Sequence, residues 1–149
     1  MILRYTVRLF RHKWFVFLEA CKLGIPFLGI IHDASKFLPD EFFAYARSFY
    51  GGLRAEVKPE FDAAWNHHQK RNKHHWQYWL LVNDEDGVYP LPVPDVYRRE
   101  MLADWRGAGR AYGNPDTPGW YAKNRDKIIL HPSTRQWVEA QFTIKDENI

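Results

Sequence analysis

Residues 2–23, ILRYTVRLFRHKWFVFLEACKL, decide how the chain folds. Ile2, Leu9, Val16 and Leu23 recur every seven positions, and Tyr5 and Ala20 widen the same stripe, so the segment predicts an amphipathic helix with one buried side. His12 stands three residues after Leu9 and four before Val16, which puts an imidazole on that buried side. Gly24 and Pro26 stop the helix. The segment is basic and apolar, but Glu19 and Lys22 interrupt it and no run reaches the roughly 20 apolar residues of a membrane span. It reads as a helix of the fold rather than as a signal peptide.

Outward from it the same punctuation repeats. A short apolar stretch, Ile25–Ile31, leads into His32-Asp33-Ala34-Ser35-Lys36-Phe37. Pro39 and Asp40 start a helix that Gly51-Gly52 stops, and Pro59 opens another that runs through Trp65 and His68 to about Asn72. The aromatic stretch 74–82 reads as a helical continuation, Asn83–Gly87 as a loop, and Pro90, Pro92 and Pro94 as extended chain. From Asp95 the helical pattern returns, with Tyr97, Met101, Asp104 and Ala108 on one face. Thr117 reads as an N-cap with Pro118 behind it, and Pro132 begins a last helix through Trp137, Val138 and Phe142. No segment alternates as a strand. The expectation is an all-α bundle of about six or seven helices, residues 1–149 forming one domain with about the last five residues frayed.

Composition narrows the function. The chain has 149 residues, and 26% charged against 46% hydrophobic is the balance of a globular protein. A single cysteine, Cys21, excludes an intramolecular disulfide and thiolate-rich zinc modules, and makes the reducing cytoplasm the default location. The net charge of +3 lacks the block of positive charge that a dedicated nucleic-acid binder carries, so neither stable nucleic-acid binding nor a membrane is expected. Local excesses at Arg4, Arg8, Arg11 and Lys13 and at Lys70, Arg71 and Lys73 favour an anionic small molecule such as a phosphate. The 25 aromatic residues mainly fill a core, with some left to stack on a base. Oligomeric state is left open.

Histidines and carboxylates carry the chemistry. Imidazole and carboxylate ligands suit Mn²⁺, Fe²⁺, Co²⁺, Ni²⁺ or Zn²⁺ in hydrolytic sites. His12 faces the core. Asp104 shares a helical face with apolar residues, and a buried carboxylate without a cation or several donors is costly. Glu100 lies one turn earlier, where it would hold a ligand in place or handle a proton. His67 and His68 diverge by about 100° on a helix, and His68, one turn before Asn72, is the better ligand candidate. His74 and His75 are equally good.

The order His12, His32-Asp33, Asp104 resembles the HD superfamily of metal-dependent phosphohydrolases, whose ligands stand on helices. His32-Asp33-Ala34-Ser35-Lys36 is similar to the HDxxK form of some HD phosphodiesterases, which implies that Lys36 lies against the substrate phosphate. His68, His74 and His75 fall where two-metal members add ligands. The Gly-Tyr-Pro triplet of the cyclic-di-GMP subgroup is absent. More narrowly, His12-Lys13-Trp14, His32-Asp33-x-Ser35-Lys36-Phe37, Asn72-x-His74-His75-Trp76 and Glu100-Met101-x-x-Asp104-Trp105 resemble DUF5662, a family of bacterial and phage proteins, over about residues 10–140. The resemblance implies a phosphohydrolase with one or two divalent transition-metal ions and a nucleotide or other phosphate ester as substrate. Two alternatives use the same residues: a non-catalytic metal- or nucleotide-binding protein, and a di-iron oxygenase.

Overall fold

The computed structural model describes residues 1–52 and 54–143. Seven α-helices dominate it: α1 (Ile2–Lys22), α2 (Pro26–Ile31), α3 (Pro39–Tyr50), α4 (Arg54–Arg71), α5 (Asp95–Tyr112), α6 (Thr117–Asn124) and α7 (Pro132–Thr143). Short 3₁₀ turns at Ala34–Phe37, Trp76–Trp79 and Arg125–Lys127 join them, and a two-stranded hairpin, β1 (Leu80–Asn83) and β2 (Gly87–Pro90), lies between α4 and α5. The fold is predominantly helical, as the periodicity predicts. The expected fraying of the last residues falls outside the described residues.

Helix α1 buries Tyr5, Leu9, His12, Val16, Glu19 and Ala20, a stripe with helical spacing. It departs from the expected stripe at one end: Ile2 is exposed, because the first turn of α1 runs past the end of the antiparallel α5. The α1–α5 contact is tight. A Cβ on Gly107 would come within 2.6 Å of the Val16 backbone nitrogen, so only glycine allows these two backbones to approach so closely.

Two larger apolar clusters flank that seam. Tyr5, Leu9, Ala44, Tyr45, Ala46 and Ala64 join α1, α3 and α4, while Met101, Tyr121, Ile128, Leu130 and Val138 join α5, α6 and α7.

Four local expectations are corrected. First, α4 begins five residues before Pro59 and carries the proline inside it. That gives up a backbone hydrogen bond, and packing against α3 through the Tyr45–Phe61 ring contact and the Arg47–Glu60 ion pair holds the helix across it. Second, residues 80–90 form a hairpin, not a helix and a loop, with Leu80 opposite Pro90 and Asn83 opposite Gly87. The Asn83 side chain accepts the Glu85 amide at 2.9 Å, and Gly87 takes the left-handed φ of +79° that closes the three-residue turn. Third, Asp116 rather than Thr117 caps α6, accepting the Gly119 amide at 2.9 Å. Its carboxylate reaches the third helical amide, which makes Thr117 the first helical residue. Fourth, His32 and Asp33 stand on a turn between α2 and the following 3₁₀ turn rather than on a helix. No helix is long and apolar enough to cross a membrane among the described residues.

Candidate metal centre

The site gathers side chains from α1 (His12), the turn after α2 (His32, Asp33), α4 (His68), the turn after α4 (His74, His75) and α5 (Glu100, Asp104). Backbone conformation explains how adjacent residues share it. His32 is extended at ψ 132°, and Asp33 is the one described non-glycine residue with a positive φ, 55°. Aspartate is among the few side chains that tolerate this left-handed geometry, and the reversal brings both side chains of the dipeptide to one point. His74 and His75 likewise stand on non-helical chain, so both imidazoles converge. His67 and His68 are on a regular helix and diverge: His68 is fully buried, whereas His67 turns outward to Asp40.

Four atoms form the first group: His12 Nε2, His32 Nε2, Asp33 Oδ2 and Asp104 Oδ1. Five of their six separations are between 3.2 and 3.4 Å. Three of these atoms, His12 Nε2, His32 Nε2 and Asp104 Oδ1, make a triangle whose corners can all lie about 2.0 Å from one ion, the bond length of Zn²⁺ to imidazole and carboxylate. The other oxygen of Asp33, Oδ1, faces the second group, 3.1 Å from His68 Nε2 and 3.4 Å from His74 Nε2. His75 completes it, since ligand atoms of Asp33, His68, His74 and His75 all lie within 4.8 Å of one another.

Hydrogen bonding separates ligand atoms from the atoms that orient them. Asp33 Oδ1 and the Nε2 atoms of His68, His74 and His75 are buried without a hydrogen-bond partner. Buried polar atoms are nearly always satisfied, so four orphans facing one point fit a cation. The opposite ring nitrogens of His32, His68 and His74 face carboxylates. Glu100 Oε1 lies 3.1 Å from His32 Nδ1 and 3.2 Å from His74 Nδ1. Glu41 Oε2 lies 2.8 Å from His68 Nδ1, and Glu41 is itself bonded by Ser35 Oγ at 2.9 Å and Arg71 Nη1 at 3.0 Å. Carboxylates on the far nitrogen fix the tautomer that leaves Nε2 free to ligate.

The same crowding shifts the titrations. Burial opposes charge on Asp33, but His32 and Lys36 beside it and the nearby imidazoles of His12 and His68 hold its carboxyl well below the usual range. Asp104 is lowered in the same way, burial being outweighed by His12 and His32. Burial also opposes protonation of His74, yet the neighbouring carboxylates of Asp33 and Glu100 push its pKa up to about 10. His75 moves the other way, well below normal, through burial and then the positive charge of His74 and His68. The pocket therefore gathers positive charge, as protons where no cation is bound.

Of the sequence candidates, His12, His32, Asp33, His68, His74, His75 and Asp104 come together. Glu100 stands behind the rings and positions them. Lys36 Nζ lies 2.5 Å from Asp33 Oδ2. Glu41, wholly buried, was not a candidate from sequence; its signal is its place on the same face of α3 as the buried Ala44 and Tyr45. Ser35 and Asn72, bonded to each other at 2.8 Å beneath His68, were likewise not singled out as working parts.

No curated protein and no solved structure matches the chain. The family described as "Family of unknown function (DUF5662)" matches residues 1–144, and the chain belongs to that family.

Proposed function

We propose that this protein is a metal-dependent phosphohydrolase of the HD type, acting on a nucleotide or other phosphate ester. The observation that carries the reading is Asp33, which offers one carboxylate oxygen to each of two groups of ligand atoms. The ligands of the first group are the four that the HD resemblance nominates. A divalent cation held there supplies a Lewis acid for a phosphoryl oxygen and lowers the pKa of a water to near neutrality.

The chain's own residues do the rest. Glu100 and Glu41 hold His32, His74 and His68 by their far nitrogens. Lys36 is within 2.5 Å of Asp33 and offers a fixed positive charge to a phosphate placed beside it. The Asp104 side chain is 15% exposed and that of Lys36 16%, which puts the accessible edge of the site between α5 and the 3₁₀ turn.

The test is metal analysis of the purified protein followed by a nucleotide panel with Mn²⁺, Co²⁺ or Mg²⁺. One or two ions per chain and turnover of at least one nucleotide are expected, and bound metal with no turnover of any would sink the reading. A second reading, a binding-only metal site, is favoured by the depth of the ligands, most of which are buried. Lys36→Ala separates the two. In a hydrolase it lowers kcat about 10²-fold with metal content unchanged; at a binding-only site it changes neither metal content nor fold.

A further inference from the structure

Beside the metal centre lies a cavity of about 660 Å³ lined by Arg4, Arg8, Arg11, Tyr50 and Tyr112 among others. The three arginines follow the i, i+4, i+7 spacing of one face of α1. Arg8 is held between two rings, 4.6 Å from the Phe49 centroid and 4.0 Å from that of Tyr112, and Arg4 stacks at 4.7 Å on Tyr50. Stacking fixes the plane of a guanidinium and leaves its N–H edge free for a ligand.

These arginines differ from most of the others. Among the described residues, Arg4, Arg8 and Arg11 make no hydrogen bond and no ion pair, whereas Arg47, Arg71, Arg98, Arg99, Arg110 and Arg125 each pair with a carboxylate. Three uncompensated cations within two turns repel one another, and an anion between them relieves that repulsion. Guanidinium groups match the oxygens of phosphate, as of carboxylate, bidentately, and a phosphoryl group is the anion that the proposed reaction brings to this part of the molecule.

The cavity adjoins the metal centre. Tyr112 lines it and also stacks on the ligand His12, centroids 6.0 Å apart and planes 8° apart. Arg8 precedes His12 by four residues, a rise of about 6 Å along α1, so about one helical turn separates the arginines from the first ligand. We infer that the cavity holds a second phosphoryl group, so that the substrate is a bis- or polyphosphorylated compound with one phosphate at the metal centre and another among Arg4, Arg8 and Arg11. The inference rests on the hydrolase reading for the word substrate, but not for the anion site itself.

Wild type and the R4Q/R8Q/R11Q variant separate the two claims. With metal-loaded protein, kcat/KM for adenosine 3′,5′-bisphosphate and ADP is compared with that for AMP. Wild type is expected to prefer a doubly phosphorylated nucleotide by at least about tenfold, the worth of one charge-assisted hydrogen bond, and the ratio should fall to near one in the variant. With chelator-treated protein, calorimetric titration with inorganic tripolyphosphate should show binding that the variant weakens by at least about tenfold. Arg11→Gln alone, which removes none of the observed ring stacks, should give an intermediate loss and guards against misfolding of the triple variant. Turnover with no preference, or a preference unchanged in the variant, overturns the cavity and leaves the hydrolase. Arginine-dependent tripolyphosphate binding without turnover of any nucleotide overturns the hydrolase and keeps the anion site.

Discussion

Helix α5 divides two regions built on opposite terms. On one side Glu100 and Asp104 meet His12, His32 and His74. On the other, their immediate neighbours Met101 and Trp105 meet Tyr121, Ile128, Leu130 and Val138. Successive residues on a helix diverge by about 100°, so two adjacent pairs are enough to send charge one way and apolar surface the other. The apolar side is held by burial and needs nothing added. The polar side buries carboxylates that cost several kcal/mol each unless compensated, and that compensation comes from protons or from a cation. One region is self-sufficient; the other depends on what occupies it.

Removing the occupant should break the symmetry most visibly. A site with cation at about 1,000 times its Kd gains about 4 kcal/mol, so chelation should lower Tm by on the order of 10 °C in a chain of this size. Asp33→Ala should have the same effect and remove the response to chelator. Hydrogen exchange should speed up at residues 32–37 and 72–76 while α7 keeps its protection; equal loss in both regions would show that they are not separable. Met101→Ala attacks the other side. It should cost about 3 kcal/mol in urea unfolding and leave metal content unchanged, and metal loss in step with stability would refute the division. Gly107→Ala strikes the seam between them. The added Cβ meets Val16 backbone, which cannot yield without moving α1, so stability should fall by about 2 kcal/mol. Since His12 rides on α1 and Asp104 on α5, metal affinity should fall about tenfold as well.

What could be read beforehand follows the same division. Helical periodicity exposed the faces of α1 and α5, and with them His12 and Asp104, because a regular helix turns spacing into direction. The same rule sends His68 inward and His67 outward. It says nothing about residues off the helices. That His32 and Asp33 converge depends on a left-handed aspartate, and that His74 and His75 converge depends on a turn; neither leaves a period in the sequence. The hairpin was legible in principle, since Asn83 and the pair Asp86-Gly87 are turn signals between two short runs that hold Val82 and Val88-Tyr89, but an aromatic-rich segment also passes for a helix. Glu41 was hidden by position: an acidic residue in the first turn of a helix normally answers the helix dipole, and here it holds His68.

A further buried carboxylate, away from the histidines, tests whether burial alone creates dependence on an occupant. Glu19 is only 5% exposed, yet its Oε1 accepts from Lys22 at 2.8 Å and from Arg110 at 2.6 Å. The chain itself supplies the cations, so this pair should ignore chelation. Burial works to raise the Glu19 pKa, and the two cations overcome it and hold the carboxyl below its usual value. A depressed carboxyl stabilises the fold fully above the unfolded pKa of about 4.3, and that contribution disappears as pH falls through the lower folded value. Lys22 is largely exposed and screened, so Glu19→Gln should cost only about 1 kcal/mol at pH 7. The gap between variant and wild type should narrow as pH drops below about 4. Urea unfolding of both proteins at the two pH values reads this directly, with or without chelator. A gap that persists undiminished in acid would mean that Glu19 acts through shape rather than charge, and a gap that closes on chelation would tie it to the candidate metal centre instead of to its own cations.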